Sequence, residues 1–282
     1  MIVFLNGKFV AEADAVVSVF DRGFLYGDSV FETLRVSQHR CVRWRQHLER
    51  LQRGAAWLRL PIPYSIEQLA AFADQLLVAN GLDDAILRLT LSRGVGPRGY
   101  SPAGAGPATL VMSLHPAPGP GPLPLWRIVT ASLRLPANDP LAAIKSGNKL
   151  RHVLARAEAD AAGADEALLL NDRGQAATLS SGNLFSISGL RVLTPPPSEG
   201  VLPGITRAAV LELTRQLGLQ TVEEPLRRSH LLQADGVFLT STSRGIVEIV
   251  ELDGQPLSRS AVTARLQEAF LQSLAGSPEP GG

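Results

Sequence analysis

A proline-rich stretch near the middle of the chain is the feature that most constrains its fold. In HPAPGPGPLP, residues 115–124, five of the ten positions are proline. Proline fixes its own φ angle and lacks an amide hydrogen, so such a run is a stiff spacer rather than part of a helix or sheet. It predicts a smaller first domain at 1–114 and a larger second domain at 125–275. A Pro- and Gly-rich tail at 276–282 is predicted to be disordered.

Helix and strand patterns follow one another irregularly on both sides of this spacer. Asn6-Gly7 between two apolar runs predicts a hairpin. Ser65, with Gln68 three residues later, predicts a capped helix that ends at Gly81. Because the order is not a strict β–α–β alternation, the pattern favours an α+β (mixed α/β) fold over a doubly wound sheet.

Charge, cysteine content and hydropathy exclude several classes of protein. A net charge of +1 gives no reason to expect a nucleic-acid partner, and no apolar run reaches the ~18 residues of a membrane span. The single cysteine, Cys41, excludes an intrachain disulfide. With no signal peptide before Asn6, we expect a cytoplasmic protein. The histidines show no metal-ligand spacing, so we expect no metal site.

Lysine is rare in this chain, and one lysine has a distinctive position. Only Lys8, Lys145 and Lys149 occur among 27 Lys and Arg residues, and Lys145 lies just before a helix predicted from Asn148 onward. The apolar residues that share one face of that helix are Leu150, Val153, Leu154, Ala157 and Ala161. A deprotonated amine can attack a carbonyl, which a guanidinium cannot do. Taken alone, however, Lys145 is better explained as a solvated charge.

Three further stretches have features of a phosphate site. Gly204-Ile205-Thr206 opens a predicted helix, whose first amides carry the positive end of the helix dipole. The run 240–243 places four hydroxyl side chains at a strand end, and Arg50 lies on a helix with an apolar opposite face. Taken singly, these features are also explained by an ordinary helix start, a polar turn and a solvated arginine.

Together, these stretches resemble the class IV aminotransferase family, which binds pyridoxal 5′-phosphate (PLP) in the fold type IV arrangement. The resemblance covers nearly the full length and implies a small α/β domain followed by a larger domain with a barrel-like mixed sheet. The matching motifs are YGDSVFETLRV (26–36), RQHLERL (45–51), SRGVGPRGYSP (92–102), IKSGNKL (144–150), ADEALLL (164–170), SSGNLF (180–185), LPGITR (202–207) and TSTS (240–243).

The resemblance implies a role for each candidate residue. Lys145 would form the Schiff base and later move the proton at the substrate Cα, and Leu202 would pack against the pyridine ring. The cofactor phosphate would be held by Arg50, Gly204, Ile205, Thr206, Ser241 and Thr242. The resemblance also implies a homodimer that acts on a small-molecule amino substrate, with the active site between the two domains.

One position departs from the family pattern. Five residues before the asparagine of the NLF motif, the family has a glutamate that pairs with the pyridine nitrogen, and this chain has Thr178 there. A hydroxyl cannot offset a pyridinium charge, so the ring should withdraw electrons less strongly. Transamination should suffer more from this change than an elimination that expels electrons from Cβ. Recruitment of another carboxylate, such as Glu166, would strain the spacing.

The family resemblance leaves three functions open. The first is 4-amino-4-deoxychorismate lyase, which eliminates pyruvate to leave 4-aminobenzoate. It is favoured by Thr33, at a position thought to assist proton transfer, and by Arg98 and Tyr100, which would face substrate carboxylates. The second is an aminotransferase for branched-chain or D-amino acids, and the third is a PLP-binding protein without turnover. Tyr26 and Phe31 are further candidate substrate contacts.

Overall fold

A computed structural model describes residues 1–119, 121 and 123–276. It divides into two compact units. The N-terminal unit comprises Met1–Pro118 and Ile144–Asn148, and the barrel unit comprises Gly119–Ala143 and Lys149–Gly282. Lys145 thus groups with the N-terminal unit although it follows the proline-rich spacer. Most of the predicted tail, 276–282, lies outside the described residues, and its first residue, Gly276, ends the last helix.

The N-terminal unit is an antiparallel sheet covered by helices. Its strands are β1 (Ile2–Leu5), β2 (Lys8–Ala11), β3 (Ser29–Ser37), β4 (Arg40–Cys41), β5 (Ala85–Ser92) and β6 (Thr109–Pro116), in the order β2-β1-β6-β5-β3-β4. Its helices are α1 (Arg22–Tyr26), α2 (Trp44–Trp57) and α3 (Ile66–Asn80). The predicted turn between β1 and β2 is confirmed, because Asn6 and Gly7 both have positive φ angles, 48° and 89°. The short helix α1 begins after Asp21, whose side chain accepts the Gly23 amide hydrogen, and ends at Gly27.

Helix α2 packs directly on β3, and this contact forms the core of the unit. Leu48, Leu51 and Ala55 are buried at this contact. Gly54 allows the close approach, because a Cβ there would lie 3.3 Å from both Val30 and Ile144. The segment that carries Lys145 is therefore packed into the same core as the sheet.

The barrel unit is built on a mixed sheet that closes on itself. Its strands are β7 (Leu125–Leu135), β8 (Glu166–Asn171), β9 (Ala176–Leu179), β10 (Asn183–Ser188), β11 (Arg191–Thr194), β12 (Gln220–Glu223), β13 (Gly236–Ser241), β14 (Gly245–Leu252) and β15 (Gln255–Pro256). Its helices are α4 (Leu150–Ala161), α5 (Ile205–Gln216), α6 (Arg228–Leu232) and α7 (Ala261–Gly276). Closure comes from β9, which pairs with both β8 and β10 and completes the ring β10-β13-β14-β7-β8-β9. The barrel-like mixed sheet is confirmed.

Helix α4 packs against the barrel through its small alanines, whereas its larger apolar side chains are exposed. Ala155 and Ala159 are fully buried, whereas Leu150 and Val153 are 69% and 60% exposed in the single chain. Small alanines let the helix approach the barrel closely, and the larger side chains point away from it. The apolar face predicted from the sequence therefore exists but is not a core face of this chain. Among the described residues, no helix is long and apolar enough to cross a membrane.

The cap of α3 yields a prediction about stability. The Ser65 hydroxyl accepts the Gln68 amide hydrogen at 3.2 Å, and the Gln68 side chain accepts the Ser65 amide hydrogen at 2.9 Å. Replacing Ser65 by alanine should lower the free energy of unfolding by about 1 kcal/mol, because one helix amide loses its partner. Urea denaturation measures this loss. Ser258→Ala, at an exposed position, should change stability by less, and equal losses would contradict the capping role.

Candidate active site

The segment around Lys145 is fixed by backbone pairing with the edge of β3. The Phe31 amide donates to the Lys145 carbonyl at 2.9 Å, and the Gly147 amide donates to the Ser29 carbonyl at 2.9 Å. Val30 and Ser146 form an antiparallel bridge between these two bonds. Cross-strand neighbours point to the same face of a sheet, so Lys145 shares a face with Phe31.

The side chains of Lys145 and Arg88 both contact the ring of Phe31. The Lys145 Nζ lies 4.5 Å from the ring centroid, and the Arg88 guanidinium carbon lies 4.0 Å from it. Thr33, two residues along the same face, is the cross-strand partner of Arg88. Burial lowers the pKa of Arg88, and no carboxylate of the described chain contributes to that pKa. Arg88 could not be identified from the sequence, because its position depends on the β3–β5 register.

On the other face of β3, Glu32 forms a buried charge cluster. Its side chain is fully buried, and its Oε1 and Oε2 accept from Arg50 Nε and Nη2, both at 2.7 Å. Oε2 also contacts His47 Nδ1 at 2.7 Å. Burial raises the pKa of Glu32, but the hydrogen bonds from Arg50 and His47 outweigh it and lower the pKa below its usual value.

His47 is the third member of this cluster. Burial lowers the pKa of His47. The hydrogen bond and the negative charge of Glu32 raise this pKa, but the positive charges of Arg50 and Lys145 lower it, so that the pKa is below its usual value. A neutral imidazole next to a carboxylate carries its hydrogen on the nitrogen that faces the carboxylate, here Nδ1. Arg50, predicted as a phosphate ligand, is thus already held by Glu32.

The loop after β5 is tied to α1 through Arg22. Its guanidinium donates to the carbonyls of Gly99 and Tyr100 at 2.9 and 3.0 Å and lies 4.9 Å from the Tyr26 ring. The rings of Tyr26 and Tyr100 are 5.6 Å apart, edge to face. Arg98 and Tyr100 are exposed on this loop. The structure therefore brings Tyr26 and Tyr100 together, whereas Arg98 points to solvent.

Asp28 anchors this loop region to the sheet. Its Oδ2 accepts from Arg22 Nε at 3.0 Å and from Arg93 Nε at 2.6 Å, and its Oδ1 accepts from Arg93 Nη2 at 3.0 Å. Arg93 also donates to the carbonyls of Leu58 and Arg59 at the end of α2. Burial raises the pKa of Asp28, but its hydrogen bonds to Arg93 and Arg22 outweigh burial and lower the pKa.

In the barrel unit, Asn183 joins several predicted cofactor residues. It pairs in register with Thr178 on β9 and with Thr240 on β13. Its side-chain amide donates to the Leu202 carbonyl at 2.9 Å, and its Oδ1 lies so close to Gly204 that a Cβ there would clash. In the sequence, this asparagine is recognisable only as part of the SSGNLF motif. The structure makes it the link between the strands and the start of α5.

The start of α5 has the donor set that a phosphate requires. Its N-cap is Gly204, and no side chain caps the first amides, those of Ile205 and Thr206. The buried hydroxyl of Thr240, beside Asn183, has no hydrogen-bond partner among the described residues. An uncapped helix start with an orphaned hydroxyl nearby fits the phosphate of a bound cofactor. Ser241 and Thr242, half-buried, follow Thr240 directly.

Thr178 and Glu166 have separate environments. The Thr178 hydroxyl donates to the Gly182 carbonyl at 2.8 Å. Glu166 is fully buried, and its carboxylate accepts from the hydroxyls of Ser180 and Ser181 and from the Ala167 amide. Both side chains thus fix the loop between β9 and β10. The carboxylate of Glu166 is committed to that loop.

A cavity of about 310 Å³ opens in the barrel unit. Its lining residues are Trp126, Arg156, Asp165, Ser181, Ser241, Ser243 and Arg244. Of the predicted cofactor residues, only Ser241 lines it. The volume is at the lower end of the range for small-molecule pockets.

Comparison with known proteins gives consistent matches along the chain. The model of the amino-transferase class IV family matches residues 29–252. A Methanocaldococcus jannaschii protein, provisionally assigned as a branched-chain-amino-acid aminotransferase, is 39% identical over 96% of this chain and 95% of its own length. A D-alanine aminotransferase of Staphylococcus aureus is 30% identical over 95% of this chain and 96% of its own length.

Solved structures of the same kind superpose over nearly the whole chain. The branched-chain aminotransferase of the thermophilic archaeon Thermoproteus uzoniensis, solved with norvaline, has a TM-score of 0.91 at 29% identity, covering 99% of this chain and 96% of that one. A provisionally assigned 4-amino-4-deoxychorismate lyase from Legionella pneumophila has a TM-score of 0.86 at 28% identity, covering 93% and 96%.

The Asp28 pairs predict how stability depends on pH. Because the folded-state pKa of Asp28 is lowered below an unfolded value of about 3.9, its stabilisation is present above that pH and is lost as the pH falls through the folded-state pKa. Asp28→Asn should cost about 3 kcal/mol of unfolding free energy at pH 7, and the difference from the wild type should shrink in acid. Denaturant unfolding at several pH values measures this.

Asp84 provides a matched control for this experiment. Its side chain is 53% exposed and lies 3.4 Å from Arg35. Asp84→Asn should therefore cost less than about 1 kcal/mol. A loss for Asp28→Asn that is just as small, or that does not change with pH, would contradict the buried-pair account.

Proposed function

Because the chain belongs to the class IV aminotransferase family, we propose that it is a PLP-dependent aminotransferase that transfers the amino group of an amino acid to a 2-oxo acid. The observation that carries this proposal is the position of Lys145, a half-buried primary amine held at a strand edge beside Phe31 and near a desolvated Arg88. The similarity to branched-chain and D-alanine aminotransferases over more than nine-tenths of the chain supports it. We also propose that the enzyme acts in the cytoplasm, since a chain with a single cysteine fits a reducing compartment.

The residues predicted from the sequence are proposed to hold the cofactor as follows. PLP supplies a carbonyl for the lysine and a ring that withdraws electrons from the substrate Cα. Lys145 would attack that carbonyl and then carry the proton to and from Cα, for which it must lose its own proton. Leu202 would pack on the ring, and the Thr178 hydroxyl would face its nitrogen. The phosphate would be held by Arg50, Ser241, Thr242 and, beyond the N-cap Gly204, the amides of Ile205 and Thr206.

Arg88 supports a substrate that carries a carboxylate. Arg88 is partly buried, its pKa is lowered by burial, and it has no acidic partner in the described chain. Burying its charge costs free energy, and a hydrogen-bonded substrate carboxylate would offset that cost. Both substrates of an aminotransferase carry carboxylates. Phe31, which lies under the Arg88 guanidinium, supplies an apolar surface for a side chain.

The second candidate is 4-amino-4-deoxychorismate lyase, and one observation favours it. Thr178 would offer the cofactor ring a hydroxyl where the family has a carboxylate, and the buried Glu166 is already bonded to Ser180, Ser181 and the Ala167 amide. A weaker electron sink suits elimination better than transamination. For this candidate, Arg98 and Tyr100 on the anchored loop and Thr33 beside Arg88 would be the substrate contacts.

A substrate panel tests the two candidates directly. The PLP-loaded protein should convert 2-oxoglutarate to glutamate when supplied with a branched-chain L-amino acid or with D-alanine, and Lys145→Ala should lose this activity and the visible absorption of the bound cofactor. Lys149→Ala, in the same region, should retain both. If the protein releases pyruvate from aminodeoxychorismate and transfers no amino group, it is the lyase and not an aminotransferase. No reaction in either assay would contradict both candidates.

We also propose that the protein is a homodimer. The segment before and within α1 exposes a run of large apolar side chains, among them Val16, Val19, Phe20 and Phe24 at 74%, 63%, 64% and 75%. Contiguous apolar surface of this kind is uncommon on monomers and marks an interface. The exposed Leu150 and Val153 of α4 form a second surface of this type. A second copy of this chain is the partner that the family resemblance implies.

The exposed apolar side chains before and within α1 predict the effect of one substitution. Phe24→Asp should convert a dimer into a monomer, because burying a carboxylate in an apolar contact is costly. Val78 is 70% exposed as a single apolar residue on α3, and Val78→Asp should leave the dimer intact. Light scattering coupled to size-exclusion chromatography reads both. A wild-type protein that is monomeric at micromolar concentration would contradict the proposal.

A further inference from the structure

The buried cluster beneath α2 contains a carboxylate for which the proposed reaction has no use. Glu32 is fully buried, and each of its oxygens is bonded to Arg50. His47 and Arg50 lie three residues apart, on one face of α2. A buried carboxylate is expensive to keep, so its retention beside the proposed phosphate ligand suggests that it serves that ligand.

The bidentate contact fixes the orientation of Arg50. A guanidinium is a planar fork, so once Nε and Nη2 are both bonded to Glu32, the plane and the direction of the whole group are determined. His47 Nδ1, at 2.7 Å from Oε2, holds the carboxylate against rotation in turn. An arginine oriented in advance loses less side-chain freedom when it binds an anion.

We propose that Glu32 is a positioning residue that orients Arg50 for the phosphate of the cofactor. The inference rests on the proposed role of Arg50 as a phosphate ligand. It assigns Glu32 no contact with the cofactor and no part in bond making. Its effect should therefore appear only for ligands that carry the phosphate.

The positioning role of Glu32 and Coulomb's law alone predict opposite changes in PLP affinity for Glu32→Gln. By Coulomb's law alone, a carboxylate next to the phosphate ligand weakens binding of an anion, so its neutralisation should tighten binding. If Glu32 orients Arg50, Glu32→Gln should weaken binding, because the Gln amide group cannot accept both guanidinium hydrogens. The direction of the change therefore separates the two effects.

The experiment compares two ligands that differ only in the phosphate. Full-length apoprotein is titrated with PLP and with pyridoxal, and binding is followed by visible absorption. For Glu32→Gln, the dissociation constant for PLP should rise about tenfold or more. Losses of this size are typical when a residue that orients a ligand-binding side chain is replaced. The constant for pyridoxal should stay within about twofold of the wild type. Glu49→Gln, at a 44% exposed position next to Arg50 on the same helix, is the matched control and should change neither constant.

Several results would overturn the proposal. If Glu32→Gln binds PLP as tightly as the wild type or more tightly, Glu32 does not orient Arg50 for the phosphate. If the affinities for PLP and pyridoxal fall equally, Glu32 has only a structural role. Should Glu32→Gln not fold, as judged by circular dichroism, Glu32→Asp replaces it. That variant keeps the charge but shortens the side chain, so the same PLP-specific loss is expected and an equal loss for both ligands counts against the proposal.

Arg50→Gln separates this inference from the proposed function. If Arg50→Gln lowers the preference for PLP over pyridoxal and Glu32→Gln does not, the positioning role of Glu32 is wrong and the phosphate role of Arg50 stands. If neither variant changes that preference, Arg50 is not the phosphate ligand, and both statements fall.

Discussion

The pairing of residues 144–147 with the free edge of β3 is the interaction on which the candidate site depends. Two backbone hydrogen bonds of 2.9 Å and the Val30–Ser146 bridge fix the register of a segment that lies more than 100 residues from β3 in sequence. That register decides the face on which Lys145 lies, because a shift of one residue would turn the amine to the other side of the sheet. Ile144, its neighbour, is buried in the core between β3 and α2 and holds the segment in place.

The same strand separates two kinds of electrostatic environment. On one face, Lys145 and Arg88 share the ring of Phe31 without a carboxylate acting on Arg88 in the described chain. On the other, Glu32 is compensated by Arg50 and His47. A buried charge is stable only when it is paired and hydrogen-bonded. The Glu32 side fixes the orientation of Arg50, and the Arg88 side, where no carboxylate offsets the guanidinium in the described chain, suits a substrate that brings negative charge.

Local signals in the sequence predicted much of the fold and part of the site. The turn at Asn6-Gly7 and the capping box at Ser65 follow from neighbouring residues, and both are found. The pairing of Glu32 with Arg50 could not be predicted this way, since it depends on how α2 docks on β3. The apolar face of α4 shows the same limit, because periodicity identified Leu150 and Val153 as one face but could not say what covers them. The assignment of Lys145 came from the family resemblance and stays a prediction.

The site of covalent attachment tests the account most directly, since the chain contains only three lysines. The holoenzyme is treated with borohydride, digested, and analysed by mass spectrometry for a peptide that carries the reduced cofactor. The account predicts the adduct on Lys145 alone. An adduct on Lys8 or Lys149, or none on a protein that has bound PLP, would contradict it.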